Sequence, residues 1–73
     1  MAAPGHYTPK DVRKLRQTLG VSQPLFARLM GVSTVLVQSW EQGQRTPSPM
    51  ARRLLDEVRR DPHRWAAAPR PVA

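Results

Sequence analysis

At 73 residues the chain holds one small domain, and a domain of this size buries only about 60% of its unfolded surface, so help from a second chain is expected. There is no cysteine, which excludes disulfides and thiolate metal sites, and no apolar run nears the roughly 18 residues of a membrane helix. Twelve Lys+Arg face five Asp+Glu, a net charge of +7, and eleven of the twelve cations lie between Lys10 and Arg64. The charge therefore belongs to the domain. It points to a polyanionic partner, nucleic acid ahead of an anionic membrane, unless it only solvates an arginine-rich surface. The start, MAAPGHYTPK, lacks the apolar core of a secretory signal, so the expected compartment is the cytoplasm.

Helix signals follow one another along the chain, and no strand-period run interrupts them. Residues 1–7 carry no such signal and are expected to be a flexible segment. Thr8-Pro9-Lys10-Asp11 then supplies a cap, a proline at the first helical position and an acid in the first turn. Val12, Leu15 and Leu19 share one face, and Gly20 ends the helix. Ser22 caps a second helix from Gln23 to Met30, with Phe26, Ala27 and Met30 inward. Gly31 stops it, and Ser33 caps a third helix reaching Gln42 before Gly43. Arg45-Thr46-Pro47 is a turn. Ser48-Pro49 opens a fourth helix, whose Ala51, Leu54, Leu55 and Val58 follow helical spacing. Asp61-Pro62 repeats the cap-proline signal for a short fifth helix through Trp65. Trp65 has no evident core position; it either covers the end of the core or belongs to a dimer surface. Residues 66–73, with two prolines, are expected to be a flexible tail. The expected fold is all-α, a compact four- to five-helix bundle over 8–65.

Only Gly31-Val32-Ser33 separates the second and third helices. A glycine turn this short forces a steep crossing, as in a helix-turn-helix, although other αα corners share it. In the third helix Val37 and Trp40 can both face inward, with Leu36 at the border. The outward stripe is then Thr34, Val35, Gln38 and Ser39, and it carries no charge. Solvated faces usually carry Lys and Glu. A face entering the major groove needs hydrogen-bonding groups for base edges and small apolar groups for thymine methyls. These four are therefore the candidate base-reading residues, with a protein interface as the other reading of Val35. The N-termini of the second and third helices, capped by Ser22 and Ser33, aim positive partial charge outward, suited to phosphates. Arg28, Arg45 and Arg52 can flank them, although for Arg52 plain solvation explains the position equally well.

The run L-x-x-x-L-G-V-S-Q-x-x-F-A-x-x-M-G-V-S followed by V-x-x-W-E-x-G-x-R-x-P-S resembles the Cro/C1-type (XRE) helix-turn-helix family. Within it, S-W-E-Q-G-Q-R-T-P-S-P-M-A-R-R-L-L is similar to HigA-like and MqsA-like antitoxin-type regulators. The likeness spans 12–61. It implies a lambda-repressor-like domain of five helices that binds double-stranded DNA as a homodimer on an inverted repeat. By the same resemblance Gln23 takes a phosphate-binding position and Arg45 a backbone-contacting one. Thr34, Val35, Gln38 and Ser39 take base-reading positions. Arg16 and Glu41 take those of a partly buried ion pair between the first and third helices. Pro24 departs from the pattern and removes an N–H beside the phosphate site. The third helix also lacks Arg and Lys, so adenine or thymine readout is expected over guanine.

The expected function is a transcriptional regulator, by default a repressor or autorepressor associated with the nucleoid. The alternative is an antitoxin whose partner is a toxin protein. An enzyme is not expected: His6 and His63 lie in terminal segments, and no carboxylate pair, metal cluster or phosphate loop is present. No cofactor or metal is called for. The basic amphipathic fourth helix could lie on a membrane surface, but its apolar stripe is needed for the core.

Overall fold

The computed structural model describes residues 5–66. Five helices follow in order: α1 (Pro9–Leu19), α2 (Gln23–Met30), α3 (Thr34–Gln42), α4 (Pro49–Arg60) and α5 (Pro62–Ala66). No strand occurs among the described residues.

Each helix starts where a cap residue satisfies a free amide. Thr8 and Asp11 form a reciprocal capping box, the Thr8 hydroxyl accepting from the Asp11 amide and the Asp11 carboxylate from the Thr8 amide. Ser22, Ser33 and Ser48 each accept from the amide three residues on. The first three helices stop at Gly20, Gly31 and Gly43, all left-handed with φ near +70°. At Gly31 the following Val32 amide reaches back to the Ala27 carbonyl (2.9 Å) while Gly31 itself donates to Arg28 (3.2 Å). This double closure satisfies the last carbonyls of α2 and turns the chain sharply into α3.

The core gathers Val12, Leu15 and Leu19 of α1, Phe26, Ala27 and Met30 of α2, Val37 and Trp40 of α3, and Leu55 and Val58 of α4. Helix α2 packs chiefly on α3, α1 crosses α3, and α5 lies against α1 and α4. Trp65 is half-buried on the edge of this cluster, so it does cover one end of the core.

One expectation needs correcting. Residues 1–7 were expected to be flexible, yet Tyr7 is 6% exposed and belongs to the core. Its hydroxyl donates to the Asp56 carboxylate on α4, and the Gly5 amide donates to the same group at 3.0 Å. Arg59 sits over the Tyr7 ring, 5.2 Å from its centre. The ordered unit therefore begins before Thr8, because a buried aromatic and a shared carboxylate hold this segment to α4. Residues 1–4, and the expected tail beyond Ala66, lie outside the described residues.

Candidate nucleic-acid interface

Helix α3 sorts its side chains sharply. Val37 is fully buried and Trp40 2% exposed, whereas Val35, two residues before Val37, is 69% exposed. Thr34, Gln38 and Ser39 are half-buried on the same outward face as Val35. The Gln38 amide makes no hydrogen bond among the described residues, so its donors and acceptor are free. The Ser39 hydroxyl donates to the Val35 carbonyl at 3.0 Å. Its hydrogen is thus committed to the backbone, and only its lone pairs remain for a ligand.

The helix starts beside this face offer donors in unequal number. In α3 the Leu36 amide is taken by Ser33, which leaves those of Thr34 and Val35 without an intrahelical partner. In α2 the Leu25 amide is taken by Ser22 and Pro24 has none, so Gln23 alone keeps a free first-turn N–H. Both serine hydroxyls accept at their caps and still carry a hydrogen to donate. The Arg45 backbone is fixed to the end of α3, its amide bonding the Ser39 carbonyl at 3.3 Å, while its side chain is exposed.

Behind the outward face lies Glu41, the buried acid of the core (4% exposed). Arg16 binds its carboxylate with two parallel bonds, Nε to Oε2 at 2.7 Å and Nη2 to Oε1 at 3.0 Å. Gln23 donates to Oε1 at 3.2 Å. Arg13 donates to the Glu41 carbonyl at 3.2 Å and lies 3.7 Å from Oε1. Burial pushes the Glu41 carboxyl up, but the bonds from Arg16 and Gln23 and the charges of Arg16 and Arg13 outweigh it and hold its pKa low. One carboxylate therefore ties α1, α2 and α3 together. It also turns the Gln23 amide inward, so that one hydrogen of that amide serves the fold and not a ligand.

The remaining cations are less committed. All five acids accept an internal contact: Asp11 from Thr8, Glu41 as above, Asp56 from Tyr7 and Gly5, Glu57 from Arg60 at 3.5 Å, and Asp61 from the Arg64 amide at 3.3 Å. Arg28, Arg45, Arg52 and Arg53 form no ion pair among the described residues. Arg28, Arg45 and Arg53 are exposed. Arg52 is half-buried, and its Nε is a buried donor with no partner. Such a donor is costly to leave unmet.

Arg13 and the Tyr7–Asp56 contact were not foreseen from sequence. Arg13 follows no periodic signal, because its partner is a backbone carbonyl 28 positions away.

A buried tryptophan and glycine turn behind α3, with polar and apolar groups in front, define a helix-turn-helix. A helix-turn-helix family model matches residues 12–51, more than half the chain, and the chain belongs to the XRE-type helix-turn-helix family of DNA-binding regulators. Among curated proteins it is similar to antitoxin HigA-2 of Vibrio cholerae serotype O1 (strain ATCC 39315 / El Tor Inaba N16961), 34% identical over 55 residues. That alignment covers 75% of this chain and 53% of the relative, so the chain spans about half the length of the curated protein it matches. No helix among the described residues is long and apolar enough to cross a membrane.

Proposed function

We propose that this chain is a dimeric, sequence-specific repressor that reads an inverted repeat through the major groove. The uncharged outward face of α3 carries the reading: Val35 stands 69% exposed on a helix whose other side holds Val37 and Trp40 in the core. Val35 packs on a thymine methyl, Gln38 pairs with adenine, and Thr34 and Ser39 adjust the register. Ser22, Gln23, Ser33, Arg28, Arg45 and Arg52 hold phosphates, with the free amides of Gln23, Thr34 and Val35. Binding two half-sites one helical turn apart would set the two copies of α3 about 34 Å apart.

The test is selection of bound duplexes from a random pool at moderate salt, followed by titration against salt. If three or four phosphates are neutralised per copy, log K falls with log salt at a slope near about −3 per subunit. Gln38→Ala should lower specific binding by roughly 1–3 kcal/mol and leave random duplex nearly unchanged. A slope near zero refutes the phosphate contacts, and equal losses on both duplexes refute the base-reading role.

The likeness to an antitoxin favours a second role, neutralisation of a toxin protein, which does not exclude the first. It is tested by asking whether a neighbouring gene encodes a small protein that slows growth when expressed alone and forms a complex with this chain when the two are expressed together. A neighbour that forms no complex and does not slow growth removes this reading and leaves the regulator.

A further inference from the structure

Helix α3 lacks something that the other long helices have. Helices α1, α2 and α4 each carry arginine in the last turn, where a cation suits the negative end of the helix dipole: Arg16, Arg28, and Arg59 with Arg60. The last turn of α3 has no basic residue and holds the acid Glu41 instead. The glycine turn that follows closes only part of this end. The amides of Gly43, Gln44 and Arg45 all fold back on the Ser39 carbonyl, Gln44 at 2.9 Å, and Gly43 also reaches that of Trp40. No backbone amide among the described residues takes the Glu41 carbonyl. Arg13 takes it from α1: Nη2 donates to that oxygen at 3.2 Å, while Nε lies 3.7 Å from the Glu41 carboxylate.

We infer that Arg13 is a positioning residue for DNA reading: it caps α3 from a neighbouring helix, supplying the donor and the positive charge that the end of α3 lacks. The inference rests on the proposed function, but the cap itself is measurable without DNA. Its task differs from that of Arg16, which spends two donors on the Glu41 carboxylate, whereas Arg13 bonds the main chain. Ser39 joins the capped end to the reading face. Its side chain lies on the outward face with Val35 and Gln38, and its carbonyl anchors the turn that leads into Arg45. With only nine residues in α3, a loosened last turn displaces Ser39 and Arg45 together. The Arg13 side chain is 51% exposed, so its bonds add little to global stability and their effect is local. Taking the cation from α1 also leaves the outward face of α3 free of charge.

Two variants of the full chain test this. Arg13→Met removes both donor and charge, while Arg13→Lys keeps a charge and one donor within reach of the carbonyl; circular dichroism checks that both fold. Amide hydrogen exchange of the free chain is the first readout. In Arg13→Met the Gly43, Gln44 and Arg45 amides should exchange roughly fivefold faster, with those of α1 and α4 little changed, and Arg13→Lys should reverse most of the effect. Binding is the second. Arg13→Met should bind the selected duplex roughly fivefold more weakly and random duplex nearly as before, with the salt slope unchanged. Equal losses on both duplexes, with a slope shallower by about 1, would make Arg13 a phosphate contact and overturn the inference. Unchanged exchange at the three amides overturns it too, as does faster exchange spread evenly over the domain, the mark of lost stability alone. Local fraying with full binding to the selected duplex overturns the positioning role. An unchanged chain that prefers no duplex removes the repressor instead, and local fraying in its Arg13→Met variant would still support the cap.

Discussion

Replacing Glu41 with Gln probes the centre of the site with almost no change of shape. The carboxylate takes two charge-assisted bonds from Arg16, at 2.7 and 3.0 Å, and one from Gln23. Removing one partner of a buried pair costs about 3–5 kcal/mol. The amide keeps one acceptor oxygen, and Arg16 retains 18% of its side-chain exposure, so the lower end applies. The expected loss is about 3 kcal/mol, a large fraction of the stability of a domain this small. Urea titration at neutral pH measures it, provided the slope with denaturant is unchanged. The pH dependence is a second readout. Glu41 has a lowered pKa in the fold, so its contribution is present above its unfolded value and is lost as pH falls through the folded one. The variant should lack that acid-side loss. A cost below about 1 kcal/mol, the range of exposed ion pairs, would refute the view that this carboxylate holds three helices together.

Tyr7→Phe should cost about 1 kcal/mol by deleting the bond to Asp56, measured by the same titration. Burial, aided by the Asp56 bond and opposed by Arg59, pushes the Tyr7 phenol up from 10.0 to about 12. The stability it adds is therefore complete below pH 10, fades as pH climbs toward 12, and should be missing from the variant. Gly31→Ala meets open space but must keep a φ of +71°, so it should cost about 1 kcal/mol with no steric clash, read as a lowered melting temperature. Val37→Ala, at a fully buried position, should cost about 2 kcal/mol, whereas Val35→Ala should change stability by less than about 0.5 kcal/mol and weaken binding to the selected duplex. Comparable melting losses for the two valines would contradict the inward and outward assignment.

The helices were legible because their ends carry local chemistry. Thr8, Ser22, Ser33 and Ser48 each cap the helix that the sequence placed after them, and Gly20, Gly31 and Gly43 each end one. The split of α3 into a core side and an outward side was likewise readable from the spacing of Val37 and Trp40. Contacts made across the fold left no such trace. Tyr7 and Asp56 are 49 positions apart, and nothing near either residue marks the other as its partner. The state of Gln23 was legible only in part: its place at the start of α2 follows from Ser22, but its amide is turned by Glu41, 18 positions on. The Ser39 hydroxyl was read as free for bases, and the helix itself takes its hydrogen.

Helices α2 and α3 have eight and nine residues, each cut short by a left-handed glycine. Segments below about 12–15 residues hold little helix in water by themselves. Neither can persist once its neighbours separate, so the outward face of α3 melts as one with the whole body. A duplex bound to the folded domain must then delay melting, by about 2.7 kcal/mol at a hundredfold excess over its dissociation constant. Proteases attack the melted chain, so molecules seated on DNA should outlive those adrift, and turnover in the cell should follow occupancy.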